Sequence, residues 1–102
     1  MTQNLVYLNG EYVPADQAKI SIFDGAISLG MTVTESTRTF GHQPYRLRDH
    51  IARLYLSLKA ARFDAGMTPD ELEKLTLDVW EKNKTNYDAG TDAWIIHNIT
   101  PG

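Results

Sequence analysis

The strongest constraint on the fold is a pair of consecutive helical patterns in the second half of the chain. Over residues 49–63 apolar side chains recur three and four positions apart, as one buried face of a helix requires. They are Ile51, Leu54, Tyr55, Leu58 and Ala61. This periodicity predicts an amphipathic helix.

The next helix is predicted from its start signal. Thr68 and Glu71 have the spacing of a capping box, and Pro69 suits the first helical position. We expect this helix to continue to about Asn83. Its predicted buried residues are Leu72, Leu75, Val79 and Trp80.

Segments with strand character surround the two helices. Asn9-Gly10 lies between two β-prone runs over residues 5–13, which predicts a β-hairpin with a type I′ turn. Residues 20–23 alternate like a short third strand that runs into Asp24-Gly25, and the apolar residues 93–100 are expected to form a central strand. With a further strand at 33–40, the predicted fold class is α+β with a mostly antiparallel sheet.

The strand predicted at 33–40 has two half-polar faces. One carries Thr34, Ser36, Arg38 and Phe40, and the other carries Val33, Glu35, Thr37 and Thr39. A strand that borders a polar cavity explains this pattern, and so does an edge strand facing water. The residues alone leave both interpretations open.

Composition sets limits on the function. The net charge is -3, and the basic residues are interspersed with acids, which gives no electrostatic reason to expect nucleic acid or a membrane surface as a partner. The absence of cysteine excludes disulfides and thiolate chemistry, and no metal site is predicted. Residues 1–8 have no basic segment followed by an apolar one, and no window approaches the roughly 20 apolar residues of a membrane span, so a cytoplasmic protein is expected.

Several short motifs together resemble the small domain of class IV pyridoxal-phosphate aminotransferases. They are Leu8-Asn-Gly-Glu-Tyr-Val-Pro14, the segment Ile20 to Asp24, Gly30 through Arg38 with Glu35, and His50-Ile-Ala-Arg-Leu-Tyr-Leu-Ser57. The resemblance, which is to the branched-chain and D-amino-acid type, covers nearly the whole chain. It implies that residues 1–102 are the N-terminal small domain of a two-domain, homodimeric enzyme. The turn signal Pro101-Gly102 after an apolar strand likewise suggests that the gene product continues.

The resemblance implies that Arg53 holds the phosphate of pyridoxal phosphate. A planar guanidinium can donate two parallel hydrogen bonds to a phosphate and keeps its charge when partly desolvated. A solvated helix residue is the alternative from the pattern alone. His50 and Ser57 fall on the same helical face and could orient Arg53, although a structural role is expected for His50.

The substrate pocket is expected to include Leu29, Thr34 and Arg38. Leu29 and Thr34 stand where many members of the class have tyrosine and phenylalanine, which puts branched-chain specificity in doubt. With Arg38 on the same face as Thr34, a polar or acidic substrate side chain is predicted. The alternatives for Arg38 are a carboxylate partner in the large domain or exposure to solvent.

No catalytic residue is predicted within these 102 residues. Transamination needs a lysine amine and a carboxylate that keeps the pyridine nitrogen protonated, and in the class both come from the large C-terminal domain. The five lysines, at positions 19, 59, 74, 82 and 84, lie in no matching motif. The expected substrates are an amino acid and a 2-oxo acid. An aminodeoxychorismate-lyase-like enzyme and a stand-alone binding or assembly domain remain the alternatives.

Overall fold

The computed structural model describes residues 3–102. In chain order the elements are β1 (Leu5–Leu8), β2 (Glu11–Pro14), α1 (Gly25–Ser28), β3 (Val33–Phe40), β4 (Gln43–Pro44), α2 (Leu47–Ala61), α3 (Pro69–Asn83) and β5 (Trp94–Ile99). Single 3-10 turns occupy Ala15–Gln17 and Lys84–Asn86. The strands form two antiparallel sheets, one with two strands and one with three. The predicted α+β class with two long helices is confirmed.

The N-terminal hairpin forms as predicted. β1 pairs with β2 from Leu5 opposite Pro14 to Leu8 opposite Glu11. Asn9 and Gly10 connect the strands with φ angles of 49° and 92°. Both angles are positive, which is the conformation that a type I′ turn requires and that asparagine and glycine tolerate best.

β3 is the central strand of the three-stranded sheet, and the strand order is β4-β3-β5. β3 pairs with β5 from Val33 opposite Ile99 to Arg38 opposite Trp94. Of the two interpretations of β3, the edge strand is therefore wrong. The prediction that residues 93–100 form a central strand is also wrong, because within residues 3–102 β5 lies at the edge of its sheet. Its apolar run led to that error, since Trp94 and Ile96 are in fact exposed.

The predicted third strand at 20–23 is not observed. Ile22 and Phe23 are 71% and 83% exposed, because within the described chain no surface packs against their alternating side chains. The segment instead turns into α1, where the Asp24 carboxylate accepts a hydrogen bond from the Ala26 amide. Four strands still precede the two long helices, because the unpredicted pair Gln43–Pro44 forms β4.

The hydrophobic core lies where α2 packs against α3 and β3. The predicted stripe is confirmed at Ile51, Leu54 and Leu58, which are almost fully buried together with Leu47 and Leu72. Of the remaining stripe residues, Tyr55 is half-buried and Ala61 is exposed. Helix α2 begins at Leu47, two residues before the predicted start.

Helix α3 has the bounds and the cap that its sequence predicts. The Thr68 hydroxyl accepts the Glu71 amide at 3.2 Å, and the Glu71 carboxylate accepts the Thr68 amide at 3.0 Å. Leu72 and Trp80 are buried, and Leu75 and Val79 are partly buried. At its last residue, the buried Asn83 side chain bonds the backbone of Leu5 and thereby attaches the hairpin to the helix.

Within residues 3–102 no helix combines the length and the apolar character that a membrane crossing would need. Residues 1 and 2, which contribute to the expectation about the N-terminal segment, lie outside the described part of the chain.

Candidate cofactor-phosphate and substrate site

Three side chains from two elements form a charged cluster beneath the three-stranded sheet. Glu35 projects from the helix-facing side of β3, and His50 and Arg53 project from α2. The Arg53 Nε donates to Glu35 Oε2 at 2.9 Å, and its Nη2 donates to Glu35 Oε1. The His50 Nδ1 donates to Glu35 Oε1 at 2.9 Å. The spacing of three residues places His50 and Arg53 on one helical face, as the sequence predicts.

The electrostatics of the cluster favour an ionised Glu35. Its side chain is only 4% exposed, and burial alone would raise the pKa of the carboxyl. The hydrogen bond from Arg53 outweighs burial, and the His50 ring and the Ser36 amide assist it, so the pKa of Glu35 falls from the ordinary 4.5 to about 2. The same hydrogen bond raises the pKa of Arg53. Both charges of this pair therefore persist at neutral pH.

Arg53 retains free donor capacity in this arrangement. A guanidinium has five N–H groups, and Glu35 takes two of them through one edge. The Arg53 side chain is 68% exposed, whereas Glu35 beneath it is buried. The edge of the guanidinium that faces away from Glu35 is thus oriented by a bidentate pair and accessible to an anion. This donor set fits a phosphate group.

The three expected pocket residues lie on the exposed side of the domain. Leu29 follows α1 and is 72% exposed. Thr34 lies on the outer face of β3, where its hydroxyl donates to Asn98 Oδ1 at 3.0 Å. Arg38 lies four residues further along the same face of β3, and its guanidinium carbon is 3.9 Å from the centroid of the Phe40 ring. Arg38 forms no salt bridge within the described chain, although its charge contributes to lowering the pKa of Asp92.

The expected phosphate and pocket residues occupy opposite faces of β3. Glu35, Thr37 and Thr39 point toward the helices and are buried, whereas Thr34 and Arg38 point away from them. The two groups come closest at the start of β3, where Thr34 and Glu35 are adjacent in sequence. Arg38 lies roughly 13 Å from Thr34 along the strand. The domain therefore does not by itself close a pocket around Leu29, Thr34 and Arg38.

Glu35 is the site residue that sequence reasoning did not single out. It lies in the segment Gly30 through Arg38 that takes part in the resemblance, and a glutamate on the helix-facing side of a buried strand signals a cationic partner, because a lone buried carboxylate is costly. Ser57, in contrast, is exposed and takes no part in the cluster.

The two remaining histidines have structural partners that the sequence does not reveal. The His42 Nε2 lies 2.6 Å from the Asp88 carbonyl oxygen, in the turn after β3. The His97 Nε2 lies 2.9 Å from the Thr76 hydroxyl, and burial lowers the pKa of His97. Its Nδ1 is buried and has no hydrogen-bond partner among residues 3–102.

Two lysines pair with acidic residues of α3. Lys82 Nζ lies 3.4 Å from Asp78, and Lys84 Nζ lies 2.7 Å from Glu81. In the described part of the chain no cluster of three or more histidine, aspartate and glutamate side chains could hold a metal ion.

Comparison with known proteins gives consistent matches. A Methanocaldococcus jannaschii protein, provisionally assigned as a branched-chain-amino-acid aminotransferase, is 33% identical over 97 residues, which are 95% of this chain and 32% of that protein. The crystal structure of the Escherichia coli branched-chain amino acid aminotransferase matches with a TM-score of 0.84 and 31% identity, covering 99% of this chain and 33% of that one. No family model matches the chain.

A third match carries a phosphopyridoxyl group. It is another branched-chain amino acid aminotransferase, crystallised in complex with N-(5'-phosphopyridoxyl)-L-glutamate, with a TM-score of 0.76 and 30% identity over 92% of this chain and 31% of that one. The chain thus spans about a third of the length of the relatives that it matches.

Fold and matches together define the class. The chain corresponds to the N-terminal small-domain region of fold type IV enzymes. Within that class, the proteins that it matches over this region are branched-chain amino acid aminotransferases.

Proposed function

We propose that this chain is the small domain of a pyridoxal-phosphate-dependent aminotransferase, which moves an amino group between an amino acid and a 2-oxo acid. The observation that carries the proposal is the exposed edge of Arg53, fixed by its bidentate pair with the buried Glu35. The relatives are aminotransferases, and one matching structure contains a phosphopyridoxyl group. When bound, the cofactor supplies an electron sink for the substrate carbanion.

In this proposal each residue of the cluster has a separate task. Arg53 donates its free N–H groups to the cofactor phosphate. Glu35 holds the guanidinium in place and ensures that it does not fold back onto the helix. His50 holds Glu35 through Oε1, the oxygen that also accepts from the Arg53 Nη2. The catalytic lysine lies in the large domain, outside residues 1–102, so this chain alone is expected to be inactive.

The proposal is tested with the protein that includes the large domain. Arg53→Ala should weaken cofactor retention roughly tenfold or more, because a charge-assisted phosphate contact is lost. Arg48→Ala is the matched control, since Arg48 lies on the same helix and pairs with Glu73 at 3.0 Å. The measurement is the cofactor absorbance that survives dialysis. Equal retention by the two variants would show that Arg53 does not hold the phosphate.

The substrate side chain is proposed to meet Leu29, Thr34 and Arg38 once the large domain closes the site. Arg38 forms no salt bridge within residues 3–102, and one matching structure holds a glutamate adduct. These two observations together support a polar or acidic side chain on one substrate. Arg38→Ala should lower activity toward acidic substrates and leave aliphatic ones unaffected. A small, equal effect on every substrate would assign Arg38 a structural role instead.

We further propose a cytoplasmic homodimer in which residues 24–30 cross toward the partner subunit. Four large apolar side chains are exposed in and beside this segment, at Ile22, Phe23, Ile27 and Leu29. Such a patch is typical of an interface. Sedimentation of the cofactor-loaded protein should give a dimer, and a loaded monomer would contradict this assignment.

A further inference from the structure

Two segments that are far apart in sequence meet at Gly25. Residues 20–32 lie between the hairpin and β3, and Gly25 is the buried residue among them. Its amide donates to the Gly102 carbonyl at 2.9 Å. Among the hydrogen bonds of residues 3–102, this is the one that connects residues 20–32 with the rest of the domain. The loop before β3 is therefore attached to the turn that follows β5.

A side chain at position 25 does not fit against this turn. A methyl group there would lie 2.9 Å from the Pro101 Cγ and 3.2 Å from the Gly102 carbonyl oxygen. The proline ring cannot rotate away, because it is closed onto its own backbone nitrogen. The backbone conformation does not require glycine, since Gly25 is the first residue of α1 and its φ is not positive. The close approach of Pro101 is what requires a glycine here.

Gly25 also fixes the backbone of Leu29. The Gly25 carbonyl accepts the Leu29 amide at 3.1 Å and the Met31 amide at 3.0 Å. Gly30 lies between these two donors with a φ of 66°, a left-handed conformation that lets the chain turn back toward Gly25. The position of Leu29 relative to β5 therefore depends on Gly25.

We propose that Gly25 is a positioning residue for the substrate site, because its contact with Pro101 and Gly102 sets the position of Leu29 relative to β5. The inference rests on the proposed function, in which Leu29 meets the substrate side chain. Leu29 is 72% exposed, so side-chain packing does not hold it, whereas the backbone bond to Gly25 does. In this arrangement a long substrate side chain meets Leu29, and a single methyl group does not.

Amide hydrogen exchange in the protein with its natural continuation tests the attachment. Gly25→Ala should accelerate exchange at Leu29 and Met31 roughly tenfold or more, because the added methyl group separates the loop from Pro101. Pro101→Ala alone should have a smaller effect. The double variant should match Pro101→Ala, because removal of the ring leaves space for the methyl group. Gly90→Ala is the matched control, since a methyl group at Gly90 meets no atom within 4 Å.

The kinetics of the same variants test the effect on the substrate site. Gly25→Ala should raise the KM for free leucine as amino donor roughly fivefold and leave kcat and the KM for free alanine within about twofold. Cofactor retention should not change, because Arg53 and Leu29 belong to different parts of the site. An equal rise in both KM values would assign Gly25 a purely structural role and overturn the proposal.

Two exchange results would also overturn the proposal. One is an exchange rate at Leu29 that is the same in Gly25→Ala and Gly90→Ala. The other is a double variant that exchanges faster than either single variant, since the methyl group and the proline ring would then not be in contact. A protein that binds no pyridoxal phosphate would contradict the proposed function instead, and the exchange rates would still decide whether Gly25 holds Leu29.

Discussion

Replacement of Glu35 by glutamine should destabilise the domain in a way that depends on pH. The lowering of the Glu35 pKa from 4.5 to about 2 corresponds to about 3 kcal/mol at about 1.4 kcal/mol per pKa unit. The Arg53 side chain is 68% exposed, so solvent screens part of this interaction, and we expect about 1–2 kcal/mol.

The sign of the pH dependence follows from the direction of the shift. Because the pKa of Glu35 is lower in the folded chain than in the unfolded chain, its contribution is complete above about pH 4.5 and is lost as the pH falls toward 2. The difference in unfolding free energy between the wild type and Glu35→Gln should therefore be largest near neutral pH and shrink in acid.

Urea unfolding followed by tryptophan fluorescence, from pH 7 to pH 2.5, measures this difference. Glu73→Gln serves as the control, because Glu73 pairs with the exposed Arg48 and its removal should change stability little. A difference between wild type and Glu35→Gln that stays constant over the whole pH range would refute the reasoning, since the loss would then come from packing rather than from charge.

Three further substitutions test the fold. Leu54 is fully buried, so Leu54→Ala should cost about 3 kcal/mol, whereas the exposed Leu56→Ala should have little effect on the urea midpoint. Thr68→Ala removes a capping box and should cost about 1 kcal/mol, seen as a lower thermal midpoint by circular dichroism. Asn83→Ala leaves the Leu5 backbone unsatisfied and should cost about 2 kcal/mol, with faster hydrogen exchange in β1 than in α2.

The sequence predicts the elements whose signals are local. The Asn9-Gly10 turn, the Thr68 capping box and the apolar stripe of α2 each depend on residues close in the chain, and all three are present. The prediction of a third strand at residues 20–23 was wrong because it depends on a surface that is not local in sequence. Alternation at residues 20–23 indicates a strand only if another surface covers the apolar face, and the described chain provides none.

The burial of the polar side chains on the helix-facing side of β3 could not be predicted from the sequence pattern alone either. The helix-facing side of β3 carries Glu35, Thr37 and Thr39, all buried, although their polarity suggested a cavity or an edge. The partners that make this burial possible are distant in sequence. Arg53 and His50 satisfy Glu35, and Asp92 accepts the Thr39 hydroxyl at 2.8 Å.

The attachment of the hairpin through Asn83 affects the order in which parts of the domain unfold under force. In most sheets neighbouring strands share a ladder of amides, so they open together. Here the Asn83 side-chain amide bonds the Leu5 backbone in the way that a peptide group of a neighbouring strand would. Within residues 3–102 no strand pairing connects the hairpin with the three-stranded sheet. Pulling on the N-terminus should therefore release the hairpin first as a separate unit, while the helices and β3 remain folded.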